Sequence, residues 1–204
     1  MTRTTAAGRT HRGTLSPLAA GLVVVAILGG LVLQSVTASS SGDARVDPTS
    51  DGTVTEADGV LPDGATAFDE QYPGVANLGA DLLRALQDAS TDAADEGVVI
   101  VANSGWRSAE YQDQLLRETV SAYGSEAEAA RWVATAETSS HVSGDAVDVG
   151  GQAATVWLAE HGAAYGLCPV YANEPWHYEL RPEAVGRRCP PTYADPTDDP
   201  RMQQ

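Results

Sequence analysis

Residues 17–36, "PLAAGLVVVAILGGLVLQSV", carry no charged side chain, and about 20 consecutive apolar residues are what a helix needs to cross the hydrocarbon core of a bilayer. A run of this kind either spans a membrane or leads the rest of the chain through one. Arg3, Arg9 and Arg12 precede it and no basic residue follows directly. This asymmetry places residues 1–16 in the cytoplasm and everything downstream outside the cell membrane. Val36 and Ala38 also form the small-residue pattern that a signal peptidase cuts. The segment therefore reads as a single-pass anchor for an extracytoplasmic domain, or as a leader whose removal gives a secreted protein.

Beyond residue 38 the chain has 9 basic and 28 acidic residues, a net charge of −19, and no lysine. A surface this acidic repels nucleic acid and anionic lipid headgroups, which excludes both as partners of the exported part; its membrane contact is left to the apolar run. The two cysteines, Cys168 and Cys189, both lie in the exported part, where oxidising conditions favour a disulfide. Zinc ligation competes with that reading, but two isolated cysteines without CxxC spacing are a weak metal signal.

Residues 37–66 are rich in Ser, Thr, Gly and Asp, too polar to bury a core, and read as a flexible linker. A folded domain is expected over 67–190, with a disordered, Pro- and Asp-rich tail over 191–204. Within the domain, Val75, Leu78, Leu82, Leu83 and Leu86 recur at helical spacing in one amphipathic helix from about Tyr72. "VVIVAN" (98–103) reads as a buried strand. "SAEYQDQLLRETVSAYG" reads as a helix capped by Ser108 and stopped by Gly124, and "SEAEAARWVATA" as a second helix with Ser125 and Glu128 in a capping box. A further helix over "QAATVWLAEHGAAYG" and strands at "LCPVY" and "WHYEL" complete the pattern. The order predicts an α+β domain, a small central antiparallel sheet with helices packed on it.

"SSHVSGDAVDVG" (139–150) carries the chemistry. If Ser143-Gly144 is a two-residue hairpin turn, His141 lies opposite Ala146 and becomes a diagonal neighbour of Asp148, within reach of one shared ion. Val147 and Val149 then point into the core. Taken alone, a His and an Asp at this spacing also fit an ordinary polar face. "NEPWHYEL" (173–180) adds His177, with Trp176 and Tyr178 expected on the opposite, buried face. Two histidines and a carboxylate leave a tetrahedral zinc one open position, the arrangement of a catalytic site. Hydrolysis also needs a base. Glu174, freed from the strand's alternation by Pro175, competes for that role with Glu179, which shares the face of His177. Arg107 in "NSGWRS" can support a developing oxyanion or form a surface ion pair. His161 sits near a helix C-terminus, where a cation is favoured, and reads as structural.

Together these stretches resemble the zinc D-alanyl-D-alanine peptidases of the VanY carboxypeptidase and VanX dipeptidase type. The family pattern S-x-H-x-x-G-x-A-x-D is met by Ser139, His141, Gly144, Ala146 and Asp148, and E-x-W-H by Glu174, Trp176 and His177. Ser104 to Ser108 resembles the family's SG(Y/W)RS segment, and the likeness covers about residues 70–182. It implies that His141, Asp148 and His177 bind Zn2+, that Glu174 is the general base, that Arg107 stabilises the transition state and that Ser139 helps hold substrate. The substrates implied are peptidoglycan stem peptides, trimmed of their terminal D-Ala. A short stretch between Asp148 and Glu174 and the Cys168/Cys189 pair depart from the pattern where loops shape the pocket. An idle wall-binding module, and a zinc endopeptidase cutting within wall peptides, are the competing readings.

Overall fold

The computed structural model describes residues 53–203. The apolar run 17–36 and the linker up to residue 52 lie outside the described residues. No helix among the described residues is long and apolar enough to cross a membrane. In chain order the elements are α1 (Pro73–Ala76), α2 (Ala80–Asp95), β1 (Val101–Ser104), α3 (Ala109–Tyr123), α4 (Glu126–Ala129), β2 (Ala146–Gly150), α5 (Gln152–His161), β3 (Leu167–Pro169) and β4 (His177–Leu180), with short 3-10 turns before, between and after them. The architecture is α+β, as the order of apolar patterns predicts.

The four strands run in the order β1-β2-β4-β3, each pair antiparallel. Alternation sorts the two faces of β2 and β4, while β1 has a register shift between Ala102 and Ser104. Val147, Val149 and Tyr178 turn to one side, where they join Ile100, Ala102 and Leu167 in the core. Leu82, Leu86, Ala89 and Ala93 of α2 and Ala154, Trp157 and Leu158 of α5 cover that face. Truncating a leucine such as Leu86, 1% exposed, costs about 2–5 kcal/mol by lost burial plus the cavity left behind. Asp148, His177 and Glu179 turn to the other side.

Local signals explain most boundaries. The Ser108 side chain accepts a hydrogen bond from Tyr111 N at the start of α3, and Gly124 ends the helix in a left-handed conformation. The single helix expected from Tyr72 is two: the chain leaves α1 at Asn77, and Gly79 N donates to Gly144 O (2.8 Å), tying the break to the turn before β2. The helix expected over "SEAEAARWVATA" stops at Ala129 after its Ser125 cap. The following segment is held instead by Gln112, whose Nε2 donates to Ala134 O (2.9 Å).

Cys168 and Cys189 form a disulfide closing a 21-residue separation, worth about 3 kcal/mol by loop-closure entropy.

Two stretches expected to be loose are packed. In the segment before residue 67, Thr55 and Asp58 cap each other, Ser108 Oγ donates to Asp58 Oδ1 (3.0 Å), and Ala102 N donates to Ala65 O (2.8 Å). The tail from 191 also folds back. Tyr193 bridges to Tyr171, Asp195 accepts from Arg131 Nε (2.8 Å), and Asp199 is fully buried. Both are held by paired polar groups together with a few apolar anchors, Leu61 and Ala65 in the first and Pro196 in the second, too few for composition alone to signal a fold.

Candidate metal centre

The β2–β4 register sets Asp148 directly across from His177. His141 arrives differently from the hairpin expectation. β2 pairs with β1 and β4, and not with the residues before it. Residues 139–145 form consecutive turns, with Val142 N and Ser143 N donating to Ser139 O and Asp145 N to Ser140 O. Gly144 makes this possible: its φ is +80°, and a Cβ there would lie 2.4 Å from Asn77 O. The turns carry the His141 ring over the sheet to meet Asp148 and His177. Trp176 also departs from expectation. It stands just before β4, its carbonyl still accepting from Val149 N (2.9 Å), and at 40% exposed it lies at the rim of the cavity while Tyr178 is buried.

His141 Nε2, His177 Nδ1 and Asp148 Oδ1 form a triangle with edges of 3.2, 3.2 and 3.4 Å. Tetrahedral coordination with bonds of about 2.0–2.1 Å separates ligand atoms by roughly 3.3–3.4 Å, so the triangle fits a zinc ion. These are the residues that group as possible metal ligands.

The outer nitrogens fit as well. His141 Nδ1 donates to Gly105 O (2.7 Å), and His177 Nε2 faces Glu179 Oε1 (3.4 Å) and Ser140 Oγ (3.5 Å). Partners of this kind fix the tautomer and would leave the inner nitrogen of each ring free for a metal ion. Gly105 reaches its place by close backbone approach: a Cβ on it would lie 2.1 Å from Gly74 O.

These three candidate ligands line a cavity of about 260 Å³ together with Arg107, Ser139, Glu174, Trp132, Trp176 and Met202. Arg107 is an inward ion pair rather than a surface one. Its Nη2 donates to Asp148 Oδ2 (2.7 Å), its Nε to Ser104 Oγ (2.8 Å) and its Nη1 to Gln112 Oε1 (3.1 Å). Three of its five N–H groups are thus spoken for, leaving two for a ligand in the cavity. Ser139 is 6% exposed.

The candidate bases separate cleanly. Glu174 lines the cavity, and burial pushes its carboxyl up to about 7, with Asp148 adding to the rise and His177 and Arg107 opposing it. Glu179 is absorbed into structure: burial raises it, but His177 and Arg201 outweigh that and bring it down to about 2. Burial likewise disfavours a charged His177, yet Asp148 and Glu179 lift it to about 9. Burial opposes the Asp148 carboxylate too, but His141, His177 and Arg107 hold it well below the usual range.

Residues 76–183 match the VanY D-alanyl-D-alanine carboxypeptidase family. The chain belongs to that family. A D-alanyl-D-alanine carboxypeptidase of Enterococcus faecalis is 33% identical over 118 residues, covering 46% of this chain and 44% of the relative. The chain thus spans less than half the length of this curated relative. Among solved structures, VanYB in complex with D-alanine-D-alanine is 29% identical, covering 53% of this chain and 75% of that one, with a TM-score of 0.50. The LdcB LD-carboxypeptidase is 25% identical, covering 66% of this chain and 73% of that one, with a TM-score of 0.51. The VanY-type match ends at residue 183, so the tail that supplies Met202 to the cavity wall lies beyond it.

Sequence reasoning missed Gln112, Ser140, Gly105 and the tail residue Arg201. Gln112 alone carried a signal, a polar residue among the apolar positions of α3, and it is 2% exposed.

Proposed function

We propose that this chain is a zinc-dependent D-alanyl-D-alanine carboxypeptidase that removes the terminal D-Ala from peptidoglycan stem peptides. One observation carries the reading: a three-ligand triangle sized for zinc in one cavity with a carboxyl that burial holds near neutrality. A binding module has no use for a base so placed, which favours turnover over idle binding.

Zinc at such a site supplies a Lewis acid that polarises the scissile carbonyl and acidifies water. The chain's residues do the rest. Glu174, which lines the same cavity, takes the proton of the attacking water and returns it to the amine of the departing D-Ala. Arg107 directs its free N–H groups at the charge developing on the carbonyl oxygen, or at the terminal carboxylate of the peptide. Ser139 offers a hydroxyl to the substrate backbone. Its neighbour Ser140 stands behind His177.

On this reading the site works outside the cell, anchored or released according to the fate of residues 17–36. The Cys168–Cys189 disulfide supports an oxidising compartment.

The test is digestion of defined stem peptides by the zinc-loaded chain, read by mass spectrometry. Loss of one D-Ala from a pentapeptide ending in D-Ala-D-Ala is expected. Removal of D-Ala only from a tetrapeptide would reassign the chain to LD-carboxypeptidase action. Cleavage within a cross-link would reassign it to an endopeptidase. Tight binding without turnover would leave a binding module.

A further inference from the structure

The residues after 183 lie beyond the family match, yet they reach underneath the metal centre. Arg201 Nη1 donates to Glu179 Oε2 (2.7 Å) and its Nη2 to Oε1 (3.2 Å). Arg181 contributes a single contact, to Oε2 (2.9 Å). Arg201 is therefore the group that grips both oxygens, and a two-point fork fixes the plane of a carboxylate where a one-point contact lets it rotate. Glu179 is 2% exposed, so it has no water shell to hold it instead. The same Oε1 faces His177 Nε2.

Arg201 is itself held. Its Nε donates to Asp199 Oδ1 and Oδ2 (3.1 and 3.0 Å), and Asp199 Oδ2 accepts from the Tyr171 hydroxyl (3.1 Å). A continuous set of hydrogen-bonded groups runs from the tail through Glu179 to a metal-binding imidazole.

We propose that Arg201 is a positioning residue of the metal centre: it orients the Glu179 carboxylate to receive the Nε2 proton of His177, leaving Nδ1 for the ion. Losing the direct partner of a metal-binding imidazole typically weakens metal binding by about 10- to 100-fold, which bounds the effect of losing the residue that orients that partner. The inference rests on the zinc reading of the site and adds a residue to it that the family-matched stretch does not contain.

Zinc affinity of the full chain, measured by competition with a chromophoric chelator, tests it, together with the visible absorption of the cobalt-substituted protein. Arg201→Met is expected to weaken zinc measurably, by up to about 100-fold, and to shift the cobalt bands. Arg201→Lys, which keeps the charge without the fork, is expected to fall between that variant and the parent. Asp195→Asn loosens the tail at Arg131 without touching Glu179, and is expected to match the parent in both measurements. Parental zinc affinity and cobalt spectrum in Arg201→Met overturn the proposal, as does an equal loss in Asp195→Asn. If Arg201→Met does not fold, Arg201→Lys against Asp195→Asn decides in the same way. A parent chain that binds no zinc refutes the metal reading itself; a parent that binds zinc no better than its Arg201 variants refutes only the role of Arg201.

Discussion

His141 Nε2 lies 3.2 Å from His177 Nδ1, although the two rings come from a turn and a strand 36 residues apart. Two ring nitrogens this close must share either a proton or a cation. Because the folded state alone brings them together, zinc is expected to raise the melting temperature and a chelator to lower it. At a free zinc concentration 100 times the dissociation constant the stabilisation is about 2.7 kcal/mol. Scanning calorimetry of the chelated and reloaded protein measures it, and identical transitions would rule out a metal bound preferentially to the folded chain.

Glu174→Gln keeps the shape of the side chain and removes its ability to take a proton. Turnover is expected to fall by about 10²- to 10⁴-fold, with zinc content unchanged because Glu174 is outside the ligand triangle. Released D-Ala and metal content, measured on one preparation, check both halves. Unaltered turnover would return Glu179 to contention as the base.

Arg107→Lys keeps the charge but cannot reproduce the contacts to Asp148, Ser104 and Gln112 at once. A loss of about 10²- to 10³-fold in kcat is expected if the guanidinium meets charge that develops during reaction. Steady-state kinetics separates this from ground-state binding of the substrate carboxylate, which would raise KM and spare kcat.

Asp199 offers a pH test of the folded tail. Burial raises its pKa, but hydrogen bonds from Arg201 outweigh burial and hold it below the ordinary value of 3.8. A carboxylate lowered on folding stabilises the folded state above its unfolded pKa, and that contribution is lost as pH falls through the folded value. Asp199→Asn is therefore expected to be less stable than the parent at neutral pH, with the gap closing below pH 3.8. Denaturant midpoints across that range measure it. A gap that stays constant with pH would mean that the charge of Asp199 contributes nothing.

The candidate metal site was legible chiefly through its motifs: His141 and Asp148 at their spacing alone also fit a polar face, and it is the S-x-H-x-x-G-x-A-x-D and E-x-W-H patterns, in a chain with only four histidines, that single them out with His177. The core was legible because Val147, Val149 and Tyr178 keep a period of two and the leucines of α2 a period near 3.6. What escaped is geometry that depends on distant partners. The hairpin reading delivers His141 to the right neighbours by the wrong path, since only contact with Asn77 and Gly79 reveals the turns. The tail escaped for the same reason: Asp199 and Arg201 look like solvated charges until Tyr171 and Glu179 stand beside them. Polar residues buried by pairing leave no periodic trace.

Gly105 sits outside the ligand triangle, and its backbone carbonyl is its link to the site. One added methyl would push its peptide away from Gly74 and take that carbonyl from His141. The imidazole would then be free to carry its hydrogen on the other nitrogen, and that tautomer would aim a proton at the space the ion would fill. The smallest side chain in the loop thus decides whether a nearby base is spoken for, and a variant altered there should look folded, keep every ligand and still hold zinc poorly.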